Sequence, residues 1–342
     1  MNLSGKPAIF ITGGTGYIGG SFLHLMLSRD YLRDFSISAL VRQPGDVEKV
    51  RRLGVNPIIG TLDDYDLLKR ESSNASIVFN TASCDHQISA RAIIEGLTER
   101  SKIAGIRPIL IHTSGAGVLS TTSNGNGAAL DQDPNAILWD DTDSLSHATI
   151  PAEAPHRHVD LEIFSAAKTK LVKTYLVVPP TVFGRGLGPF AERRMSIQIP
   201  RLVYQSLVQH RAVYVGKGEN QWPNVHVADL AELYLLILKA AMKDEAAEGL
   251  DGIYYPVTEH FTWSTVSHRI GEVLYARKLL TSATATTGLE GGWFWGSNVR
   301  MKCTNGERLG WIPKNGGTRA MLDDVEWDAT LMLRMLKFNE EI

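Results

Sequence analysis

The chain has 342 residues, 44% of them apolar and 21% charged, with a formal net charge of -2. That length exceeds a single small core and fits one large α/β domain or two domains. No block of like charge marks a nucleic-acid or anionic-membrane surface, and two cysteines, Cys84 and Cys303, cannot staple a chain this long.

The N-terminal M-N-L-S-G-K-P lacks the apolar segment of a signal peptide, and no window reaches the roughly 18 to 20 apolar residues of a membrane span. A cytoplasmic protein is expected. Short apolar runs at 8–12, 36–41, 57–60, 76–80 and 108–112 predict buried parallel strands. Between them, segments 17–29, 47–53, 63–70 and 86–104 carry apolar residues three and four apart, as helices do. This alternation predicts an α/β, Rossmann-type, doubly wound parallel sheet.

From Gly115 to Asp143 the pattern breaks, with T-T-S-N-G-N-G reading as a loop and D-Q-D-P as a turn. A helix is predicted over 153–170 and a sixth strand over 173–178, ending at Pro179-Pro180. Beyond Gly184 short strands are expected at 212–215 and 252–255, and helices at 230–242, 263–277 and 321–336. We assign residues 1–184 mainly to a dinucleotide-binding domain, whose core strands continue within 212–230. Residues 185–342 then form a smaller mixed α/β domain for substrate.

Ala8–Gly20 reads A-I-F-I-T-G-G-T-G-Y-I-G-G. Gly13, Gly16 and Gly19 follow a strand and open a helix. One glycine permits the sharp turn, one lets a pyrophosphate approach the backbone, and one lets helix pack on strand. Amide N–H groups at the helix start, aided by its dipole, then hold the anion. The second strand ends A-L-V-R-Q-P, with Arg42 where an acidic residue would take the ribose of NAD. A guanidinium there suits the 2′-phosphate of NADP, so NADP(H) is the expected cofactor.

T-G-G-T-G-Y-I-G-G, I-V-F-N-T-A-S, I-L-I-H-T-S-G-A-G-V-L, Y-L-V-V-P-P-T-V-F-G-R-G and W-P-N-V-H-V-A-D-L occur in that order. Together they resemble the extended short-chain dehydrogenase/reductase superfamily, in a branch similar to NAD-dependent epimerases and dehydratases. The resemblance spans nearly the whole chain. It implies cofactor contacts from Gly13, Thr15, Gly16, Tyr17, Ile18, Gly19, Arg42, Thr61, Leu62, Thr81, Ala82, Thr113, Pro179 and Thr181.

The chain departs from that family where the reaction is decided. The family uses a tyrosine four residues before a lysine, with a Ser or Thr polarising the substrate oxygen. Between Asp143 and Val172 there is no tyrosine. Counting back from Pro179 puts Ala152 in the tyrosine place and His156 in the lysine place. T-S-G-A-G puts Gly115 in the serine place, with Ser114 one residue away and facing the other side by alternation.

Three residues are candidates to replace the triad. His156 carries an imidazole, a group that can serve as acid or base, and Asp160, four residues on, would orient its ring from the same helical face. Asp85-His86, just past the fourth strand, lies where such folds bind ligands, although Asp85 also suits a helix cap. Ser114 offers a hydroxyl to a substrate carbonyl. No metal site is expected, because His156 and His158 diverge on a helix.

Trp222, Tyr254-Tyr255 and Trp293–Trp295 suit a cleft for a ring-bearing or apolar substrate, or a core, the more common fate of Trp and Tyr. Nucleotide-sugar enzymes of the resembling family carry an arginine where Trp222 stands, which favours a small, less charged substrate. The resulting expectation is an NADP(H)-dependent oxidoreductase acting on a small carbonyl or alcohol, as monomer or homodimer. The alternatives are a non-redox isomerase, dehydratase or cyclase, and a non-catalytic NADP(H)-sensing regulatory protein.

Overall fold

The computed structural model describes residues 5–126, 137–290 and 294–340. The first half alternates strand and helix: β1 (Ala8–Thr12), α1 (Tyr17–Ser28), β2 (Ser36–Val41), α2 (Pro44–Arg52), β3 (Asn56–Ile59), α3 (Tyr65–Asn74), β4 (Ile77–Asn80), α4 (Gln87–Ala104) and β5 (Ile109–Thr113). After short elements among the described residues of 114–156, including a one-turn helix at Ser144–Ala148, come α5 (Arg157–Lys168), β6 (Lys173–Val177) and β7 (Thr181–Phe183). The remainder holds α6 (Gln198–Val208), β8 (Gln221–His226), α7 (Val227–Met242), β9 (Ile253–Tyr254), β10 (Glu259–Thr262), α8 (Trp263–Ala276) and α9 (Thr318–Glu340). The D-Q-D-P turn and Trp293 lie outside the described residues.

Seven parallel strands make the main sheet in the order β9-β6-β5-β4-β1-β2-β3. Winding runs one way from β1 to β3 and the other way from β4 outward. The carboxyl ends of β1 and β4 therefore open a crevice, as the doubly wound expectation requires. Pro57 is tolerated because β3 is an edge strand.

The two halves interleave. Ile253 and Tyr254 come from the second half, yet pair with Leu176 and Val177 as the seventh strand. Helix α7 packs on α1, and Phe22 meets Phe79 and Tyr234 with ring centroids 4.4 and 5.4 Å away. A second sheet, β10-β8-β7, supports a separate apolar cluster with α6, α8 and α9. Periodicity missed α6, whose Pro200 sits harmlessly in the first helical turn, where its missing N–H breaks no ladder bond.

Phe22 is fully buried at the junction of α1, β4 and α7. Phe22→Ala is predicted to cost about 3–5 kcal/mol in urea unfolding; a loss below about 1 kcal/mol would show that the junction is not the shared core.

Candidate active site

The glycine turn is shaped by close packing. Gly13 has φ +77°, and a Cβ there would lie 2.7 Å from the Thr81 backbone. A Cβ on Gly19 would collide with Thr81 Oγ1 and the Gly13 carbonyl. Thr81 Oγ1 donates to Thr12 O at 2.7 Å, and Thr12 Oγ1 donates to Asn80 Oδ1 at 2.7 Å. Asn80 Nδ2 in turn donates to His112 Nδ1 at 3.0 Å, and burial holds the His112 ring neutral, with its pKa pushed down to about 3.

A dinucleotide fits this turn. Helix α1 has neither a side-chain cap nor an acidic residue in its first turn, so among the described residues no side chain caps its N-terminal amides. Gly13, Thr15, Gly16, Tyr17, Ile18 and Gly19 all belong to this turn, and Thr81 and Ala82 lie against it. Arg42 is exposed one residue past β2. Thr61 and Leu62 follow β3, where Asp64 accepts from the Thr61 backbone N–H at 2.5 Å.

Other expected contacts have partners within the chain. The Thr113 hydroxyl pairs with Tyr234 OH at 2.6 Å inside the core. Thr181 Oγ1 donates to Gln198 Oε1 at 2.6 Å, and Pro179 is buried, its carbonyl accepting from Ala116 N.

His156 lies at the start of α5 but not in it. It is the N-cap, with φ +67°, the left-handed region that costs a non-glycine residue about 1 kcal/mol or more. The sequence places the helix start at 153; Pro151 and Pro155 and this left-handed residue delay it to Arg157. Asp160 consequently does not orient the ring. Asp85 does: its Oδ1 accepts from His156 Nδ1 at 2.7 Å.

Asp85 is the centre of a small network. Cys84 Sγ lies 3.5 Å from Asp85 Oδ2 and 3.2 Å from His156 Nδ1. Burial, then the Asp85 charge, pushes the Cys84 thiol up to about 12, so it stays an S–H donor. His158 Nε2 donates to the Asp85 carbonyl at 3.1 Å. One ligand atom each from Cys84, Asp85 and His156 gathers within 4.8 Å.

With Nδ1 turned to Asp85, the other edge of the ring faces the end of β5. A Cβ on Gly115 would lie 3.0 Å from His156 Nε2. The ring thus occupies the space that a side chain at 115 would fill. The ungapped count from Pro179 put His156 in the lysine place; in space its ring meets the serine place instead.

The other candidates are engaged differently. His86, rather than Asp85, caps α4, its Nδ1 accepting from Ser89 N at 3.2 Å while Nε2 faces Asp63 Oδ1 at 3.1 Å. Ser114 is buried, and its Oγ donates to Asp160 Oδ2 at 3.0 Å. Asp160 is fully buried and its pKa is lifted to about 7 by that burial, against the lowering effect of Ser114. Trp222, Tyr254 and Tyr255 are core residues: Trp222 Nε1 donates to Ser297 O, and Tyr255 OH pairs with the buried His147. They do not line a cleft.

A sheet wound in two directions, with a glycine turn under an uncapped helix at its crevice, defines a dinucleotide-binding fold of the extended short-chain dehydrogenase/reductase superfamily. Residues 9–249 match the NAD dependent epimerase/dehydratase family, and the chain belongs to it. It is 27% identical over 332 residues to Oxidase ucsJ of Acremonium sp, covering 89% of this chain and 92% of that one. It is 25% identical over 227 residues to the 4-hydroxy-2-methyl-3-oxo-4-farnesyl-3,4-dihydroquinoline-1-oxide ketoreductase of Stigmatella aurantiaca, covering 66% and 63%. Among solved structures, UDP-glucose 4-epimerase of Thermotoga maritima superposes with TM-score 0.64 at 15% identity, covering 96% of this chain and 99% of that one. A dTDP-glucose 4,6-dehydratase from Streptomyces venezuelae gives 0.64 at 16%, covering 93% and 96%. Among the described residues no helix is long and apolar enough to cross a membrane.

Asp160 supplies a test of the buried network. Its folded pKa of about 7 exceeds the ordinary carboxylate value near 3.9. The folded state therefore holds the extra proton, and stability is lost as pH rises from about 4 through about 7. Asp160→Asn keeps an acceptor for Ser114 and removes the charge. It is predicted to gain ~1–3 kcal/mol on wild type between about pH 5 and about pH 8 in urea unfolding. A difference that does not change with pH would contradict the assignment.

Proposed function

We propose that this protein is an NADP(H)-dependent oxidoreductase that interconverts a small carbonyl compound and its alcohol, with His156 handling the proton. The observation that carries the proposal is the oriented imidazole, with Nδ1 donated to Asp85 at 2.7 Å and Nε2 against Gly115 at the carboxyl end of β5. Strained backbone at a polar side chain beside a ligand crevice fits a functional residue. Two relatives at low identity bear the names of an oxidase and a ketoreductase, which favours net redox chemistry.

The roles follow from the ring's two ends. A bound nicotinamide supplies or accepts the hydride. In the reducing direction, protonated His156 gives its Nε2 proton to the substrate oxygen while Asp85 stabilises the imidazolium through Nδ1. In the oxidising direction, neutral His156 receives that proton at Nε2, with Nδ1–H still held by Asp85. Cys84 keeps Asp85 in place as a neutral donor, adding no competing charge. Gly115 gives the ring its room. NADP over NAD rests on Arg42, and a small substrate rests on Trp222 standing where nucleotide-sugar enzymes carry an arginine.

The test is NADPH oxidation with a panel of small aldehydes, ketones and quinones. Wild type is expected to oxidise NADPH with at least one. His156→Gln is expected to lose about 10²–10⁴-fold in kcat/KM with NADPH affinity within about twofold of wild type. Gly115→Ala, which presses a methyl on the ring, is expected to lose about 10²-fold. No turnover of any compound by wild type, or full activity in His156→Gln, would overturn the proposal.

A further inference from the structure

The segment after β7 does not stay with its own sheet. It runs back onto α1, where Tyr17 OH donates to Gly184 O at 2.6 Å and Ser21 Oγ accepts from Leu187 N at 2.9 Å. Gly188, at φ +80°, lies against His24, where a Cβ would come within 2.8 Å of that side chain. Phe190 is buried in the α1 core. This strap ends at Arg194, whose Nε donates to Thr15 O, inside the glycine turn, at 2.8 Å.

The other end of that guanidinium faces a second feature of the crevice. Arg194 Nη2 lies 3.8 Å from Asp46 Oδ2, too far for a hydrogen bond, in the first turn of α2. Asp46 is four residues after Arg42, which has no hydrogen bond or ion pair among the described residues. One arginine therefore comes from the end of β2 and the other from the strap, and both border the lip between the glycine turn and α2. In this fold the lip receives the adenosine ribose, whereas the pyrophosphate belongs to the helix N-terminus.

We propose that Arg194 is a second cofactor-specificity residue, which closes over the 2′-phosphate of NADP(H) opposite Arg42. It rests on the NADP(H) reading above. A guanidinium hydrogen-bonded through Nε, with a longer ion pair to Asp46 at Nη2, still turns its terminal fork toward the lip for an oxyanion, the geometry in which arginine excels. Asp46 sets the sign of the selection. Its buried carboxylate, 3.7 Å from Lys49 and 3.8 Å from Arg194, would repel a 2′-phosphate were Arg194 withdrawn. The strap thereby ties cofactor choice to the half of the chain that carries β8 and α9.

The experiment measures Kd for NADPH, NADH and adenosine 2′,5′-bisphosphate with wild type, Arg42→Ala, Arg194→Ala and Arg194→Lys. Arg194→Ala is expected to weaken NADPH and the bisphosphate about ten- to a hundredfold and NADH less than about threefold. Arg194→Lys, which keeps the charge and loses the fork, is expected to fall between Arg194→Ala and wild type. Equal weakening of NADH and NADPH would overturn the proposal, because Arg194 would then only brace the strap or meet the pyrophosphate. Unchanged NADPH affinity would overturn it too. A wild type that prefers NADH removes the NADP(H) reading itself, and this inference with it. A wild type that prefers NADPH, with no effect of Arg194→Ala, removes this inference alone.

Discussion

The site depends on how closely β4 approaches the glycine turn. Gly13 and Gly19 have no room for a Cβ because Thr81 fills the space, and Thr81 is fixed by the Thr12 carbonyl. That contact shapes the cradle under α1. It also sets the path of the next residues, since Thr81 is followed at once by Ala82, Ser83, Cys84 and Asp85. The same constraint that admits a phosphate therefore positions the carboxylate that orients His156. The glycine turn and the Asp85–His156 pair share one mechanical origin at the end of a buried strand.

Much of this was legible in the sequence. The strands from β1 to β6 announce themselves as apolar runs, and the glycine spacing makes sense only after a strand and before a helix. The turn also places Thr81, since a helix held that close to its strand needs a small polar neighbour. What stayed hidden depends on contacts remote in sequence. Tyr254 reads as part of a peripheral strand, yet closes the main sheet beside Val177. Trp222 reads as cleft or core, and only its buried Nε1 bond to Ser297 decides for core. Arg194 shows no pattern at all, because its partners, Thr15 and Asp46, lie well over a hundred residues away in the chain.

The surroundings of His156 illustrate a subtler limit. Periodicity identified α5 but not its first residue, and one helical turn of error exchanged the partner of His156. With the helix drawn from 153, Asp160 falls four residues away on the same face. With Arg157 as the true start, His156 is a left-handed cap and looks across to Asp85, while Asp160 turns inward to Ser114. Adjacent residues likewise exchanged roles at α4, where His86 rather than Asp85 took the cap and left the carboxylate for His156. Pro155, just before the histidine, was the available signal, because the residue preceding a proline is pushed out of helical conformation.

The central feature is a ring held by Asp85 on one edge and set against Gly115, just past β5, on the other. Long-range proton–nitrogen NMR on selectively labelled His156 tests this most directly. The ring is predicted to carry a proton at Nδ1, with an Nε2 resonance that moves when NADP⁺ is added and a proton preference that is lost in Asp85→Asn. A ring protonated at Nε2, or a resonance indifferent to the cofactor, would contradict it.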